Sequence, residues 1–177
     1  MAIDILGDLV IGALGDGLRL AVEGKVLRWR RNAFFEKAAK VDAFGELEAE
    51  RQKAFLEIIA AAALDDGLLS DSEKAWLGAR RDATKEPSAI DAAIEATTAA
   101  LGSPISADKL TAFVQERSAV LGDDETREAA LAVLGVVLHE AGRGSYLDVV
   151  RAFGSALGLP EKAIAHAIEM LQDAPKG

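Results

Sequence analysis

The chain contains no cysteine. That excludes disulfides, thiolate nucleophiles, Cys-ligated zinc and iron–sulfur clusters. With only two histidines, a His-rich catalytic metal centre is not expected. Basic residues are the minority: 20 Lys and Arg stand against 29 Asp and Glu, for a net charge of -9 at pH 7. A general nucleic-acid binder needs a basic footprint, so that class is set aside. Aromatics make up 5% and proline occurs four times. What remains is rich in alanine and 50% hydrophobic over 177 residues. That suits one helical domain, or one domain with an appendage, able to bury a real core.

Long apolar runs are also missing. The most apolar stretch runs from Met1 to Val22, but Asp4 and Asp8 precede any basic residue, unlike a secretory signal. Asp8, Asp16 and Arg19 interrupt the roughly 20 apolar residues that a membrane-spanning helix needs. A cytoplasmic location is expected. The segment is patterned nonetheless: Ile5, Leu6, Leu9, Val10, Ala13, Leu14, Leu18, Val22, Val26 and Trp29 recur at three- and four-residue steps. This predicts an amphipathic helix. It carries Gly7, Gly12, Gly15, Gly17 and Gly24, each costing roughly 1 kcal/mol against Ala. Close helix–helix approach or a membrane interface would account for them.

Residues 19–40 then hold seven Lys and Arg against two Glu, a charge of +5, which leaves -14 for the rest. Arg28, Trp29, Arg30, Arg31, Phe34 and Phe35 interleave base and ring. Two readings follow. The segment attaches to an anionic membrane surface, at the inner face of the membrane, or it docks on the domain or on a protein partner. No nucleic-acid partner is expected.

From about residue 33 onward the pattern is helix after helix, with no strand-period alternation. One long helix runs from about residue 33 to about Leu64, unbroken or interrupted near Gly45, with its clearest part from Leu47 to Ala63, and Asp65-Asp66-Gly67 ends it, with Gly as the left-handed terminator. Ser70 and Glu73 form a capping box. Pro87 opens a helix, Gly102-Ser103-Pro104 breaks it, and Ser106 caps the next. Asp123-Asp124-Glu125 places acid at a helix start, where the macrodipole favours it. The most apolar helix spans about 125–140. Gly142-Arg143-Gly144-Ser145 turns into one that ends at Gly158, and Pro160 starts the last. The expected fold is all-α, a bundle of about seven helices. The expected division is residues 1–35 as an amphipathic appendage and 36–177 as the helical domain.

Two helix–turn–helix units superpose when Leu56 is laid on Leu131. LEIIAAAALDDGLLSDSEK, from Leu56 to Lys74, falls on LAVLGVVLHEAGRGSYLDV, from Leu131 to Val149. Asp65 meets Glu140, Gly67 meets Gly142, Ser70 meets Ser145 and Glu73 meets Asp148. The matched units cover about 45–100 and 122–173.

The run A-x-D-D-G-x-x-S-x-x-E, with its diverged second copy followed by Ala156-Leu157-Gly158-Leu159-Pro160, resembles the TerB-like family, the tellurite-resistance domain. It is also similar to the TerB-like domain of membrane-anchored DnaJ-type co-chaperones. The resemblance covers about residues 45–173. It implies seven helices in two related halves, and a binding or scaffolding role in stress-response and membrane-linked systems. It also implies a divalent-metal site at the acidic turns, as some members have. Asp66, before the glycine, and Glu73, six residues after it, fill the family's positions. Ala141 and Asp148 stand there in the second copy.

The candidate metal ligands are Asp65, Asp66, Glu73, Glu140 and Asp148, hard oxygen donors suited to Ca²⁺ or Mg²⁺; the alternative is that they cap and solvate turns. No catalytic residue is assigned. Ser145 follows no strand, so Gly-Arg-Gly-Ser is no nucleophile elbow. His139 is expected to be partly buried and satisfied, and His166 to lie near the surface. The expectation is a non-enzymatic binding module without organic cofactor. Its rivals are a metal-dependent enzyme built on the five acids, and a structural homo-oligomer packed through the glycine-rich helix.

Overall fold

The computed structural model describes residues 47–65 and 89–172. Their regular structure is helical throughout: α1 (Ala49–Ala63), α2 (Ala89–Leu101), α3 (Ala107–Leu121), α4 (Asp124–Glu140), α5 (Tyr146–Ala156) and α6 (Glu161–Gln172). Among the described residues there is no strand, and no helix is long and apolar enough to cross a membrane. The all-α expectation holds. Residues 1–46, with Arg28, Trp29, Arg30, Arg31, Phe34 and Phe35, lie outside the described residues, as do Asp66 and Glu73.

The helix α1 is the axis. Eleven of its fifteen residues are buried, because α2, α3 and α4 all pack on it. A surface helix shows one apolar stripe; one surrounded on all sides does not. The run Ala60–Ala63, each at most 1% exposed, keeps the end of α1 narrow enough for its neighbours to close around it. The helix α2 applies Ala93, Thr97 and Leu101, spaced by four, and α3 applies Phe113, Val114, Ser118 and Leu121. On its other side α4 carries α5 and α6, through Leu131, Leu134, Val150, Phe153, Ile164 and Leu171.

Helix ends follow the local sequence. Ser106 accepts from the Lys109 amide at 3.3 Å, and Asp123 from the Thr126 amide at 2.8 Å, satisfying amides that the first helical turn leaves unpaired. After α4, Gly142 at φ +72° lets the Gly142 amide reach the His139 carbonyl and the Arg143 amide that of Leu138, a Schellman-type closure. Gly122 stands at φ +85°, and a β-carbon there would lie 2.8 Å from Arg51 Nη2. Both the backbone and the arginine therefore require glycine.

The bundle has two ends. The start of α1, the α3–α4 junction and the end of α5 meet at one, linked by Arg51 and Ser118. The ends of α1, α4 and α6 meet the start of α5 at the other, linked by Arg143 and by the Tyr146 hydroxyl, which donates to the Leu171 carbonyl at 2.8 Å.

Candidate functional site

The end of α1, with Asp65, and the α4–α5 turn lie at the second end. Arg143, in the α4–α5 turn, donates from Nη1 to the Ala62 carbonyl at 2.6 Å and from Nη2 to the Ala63 carbonyl at 3.3 Å. A helix leaves its last carbonyls unpaired and carries partial negative charge there. A guanidinium is a cation with donors in a fixed fork, suited to both needs. The end of α1 and the α4–α5 turn are thereby tied across 80 and 81 residues of sequence.

Around this tie, Asp65 stands exposed two residues beyond the end of α1, and Asp148 stands exposed in the first turn of α5. Glu140 is the last residue of α4. Among the described residues no three His, Asp or Glu side chains approach closely enough to hold a metal ion. The two described carboxylates are not by themselves a donor set. His139 is half-buried with its ring edge-on to Tyr146, 5.5 Å between centroids, and His166 is exposed.

At the first end the polar groups join helices. Arg51, from α1, donates to the Leu121 carbonyl and to Asp123 Oδ2 at 2.6 Å. Arg127 donates to the Gly122 carbonyl at 3.1 Å and to Asp124 at 3.0 Å. Two guanidiniums thus cover the carbonyl end of α3. The Thr126 amide and hydroxyl, and then Arg51, hold the Asp123 carboxyl from its ordinary 3.8 down to about 2. Ser118 Oγ, buried, donates to the Leu157 carbonyl at 2.7 Å.

Between the ends sits a charge inside the core. Glu57, 5% exposed, accepts from Arg117 Nε at 2.8 Å, and the guanidinium lies 3.6 Å from the centroid of the Phe113 ring. Burying a carboxylate is tolerated only with such a partner. Lys53 Nζ approaches Glu57 at 4.0 Å from the solvent side. Sequence reasoning missed this pair and the arginine ties. The signal for the first is visible: Glu57 interrupts the apolar run Phe55–Ala63. An arginine that caps a distant helix leaves no local pattern.

A shallow hollow opens at the first end, lined by Leu47, Glu48, Glu50, Arg51 and Val120. Glu48 and Glu50 are exposed. The described residues carry sixteen Asp and Glu against eight Lys and Arg, and four of the five arginines among them are turned to protein carbonyls or carboxylates. The exposed surface is correspondingly acidic. Compared with known proteins, the chain matches no family model, no curated protein and no solved structure.

Proposed function

We propose that the chain is a non-enzymatic binding or scaffold module of the TerB-like kind, with residues 1–35 as its attachment element and a protein as its partner. The observation that carries this reading is the tie between the α4–α5 turn and the end of α1. The α4–α5 turn meets the end of α1 through Arg143. The helices α1 and α4 begin at Ala49 and Asp124, the same offset that separates Leu56 from Leu131 in the internal repeat. That shared offset, with the end of α1 and the α4–α5 turn at one end of the bundle, supports a duplicated module. The polar side chains at both ends and in the core hold helices to one another, as a rigid presenting scaffold requires.

Divalent-cation binding at Asp65, Asp66, Glu73, Glu140 and Asp148 is the secondary part of the proposal and rests on the family resemblance. Calorimetric titration with Ca²⁺ and with Mg²⁺ tests it. Heat together with a raised melting temperature supports the site; neither effect with either ion removes it. For the primary part, the full chain and a chain lacking residues 1–31 are compared by sedimentation, by co-purification and by flotation with anionic-phospholipid vesicles. Loss of a protein complex on deletion supports the reading. Loss of vesicle flotation alone assigns the segment to the membrane surface instead, and loss of self-assembly alone to a homo-oligomer. No change in any of the three refutes the attachment role.

A further inference from the structure

We draw no further inference here: the strongest candidate, the shallow hollow at the first end of the bundle lined by Leu47, Glu48, Glu50, Arg51 and Val120, is an exposed, mostly polar patch with two acidic side chains, and nothing in the structure shows what covers it.

Discussion

Substituting Gly154 by alanine sets two known effects against each other at one site. Gly154 lies inside α5, so the added methyl removes the excess backbone entropy of glycine and gains about 1 kcal/mol of helix propensity. The same methyl would meet three Ile164 side-chain carbons at 2.7, 3.0 and 3.2 Å. Ile164 is 1% exposed and β-branched, with its first torsion fixed in a helix, so it cannot swing aside. Overpacking a filled core costs about 1–3 kcal/mol. The clash wins, and we expect a net loss of about 1 kcal/mol. With a urea slope of about 2 kcal/mol/M, the unfolding midpoint falls by roughly 0.5 M at unchanged slope. The reasoning is sharper in a cycle. Ile164→Ala alone should cost about 2–5 kcal/mol, and in that background the obstructing atoms are gone. Gly154→Ala should then stabilise by about 1 kcal/mol, a reversal of sign. A methyl that stabilises the wild type, or that acts equally in both backgrounds, refutes close α5–α6 approach as the reason for glycine.

Replacing Arg117 by methionine strands the buried Glu57 carboxylate and should destabilise by about 3 kcal/mol, whereas Glu57→Leu/Arg117→Met should recover most of that loss, both read by urea melts. The folded-state depression of the Asp123 carboxyl to about 2 favours the ionised form. Its contribution is full above the unfolded value near 4 and is lost as pH falls through about 2. Asp123→Asn should flatten the wild-type loss of melting temperature over that window, and an unchanged profile counts against the Thr126 and Arg51 contacts. Arg143→Met uncovers the last carbonyls of α1 and should cost about 1–2 kcal/mol, with amide-exchange protection falling first at the end of α1; unchanged protection there refutes the tie. Thr97 is fully buried in α2 with no hydrogen-bond partner for its hydroxyl, so near-isosteric Thr97→Val should raise stability by about 1 kcal/mol, and a loss would mean that the hydroxyl is satisfied.

The elements were more legible than their ties. The start of α4 could be read from Asp123, Asp124 and Glu125, that of α3 from Ser106, and the ends of α4 and α5 from Gly142 and Gly158. Capping chemistry is local, and each signal lies close in sequence to the boundary it sets. That α1 would be the buried axis was only half legible. Ile58 to Ala63 reads as apolar on every side, yet which helices cover it is settled by packing. The tie from Arg143 to the end of α1 was hardest to see. The repeat suggests that the turns share an end, but Arg143 has no counterpart in the first copy, where Leu68 occupies the matched position. An interaction present in one copy alone leaves no repeated signal. The same holds for Arg51 and Arg127 on the carbonyl end of α3.

The buried axis has a consequence for synthesis. The helix α1 is complete at Ala63, while α4, which finishes its cover, ends only at Glu140. At about 5–20 residues per second, the ribosome needs roughly 4–15 s to pass from the one to the other. During that interval a helix whose last six residues are all apolar stands without its final partner. Nascent chains at this stage are natural clients of a holding chaperone. Slow codons placed between α1 and α4 should lower the yield of folded protein more than the same codons placed after α4.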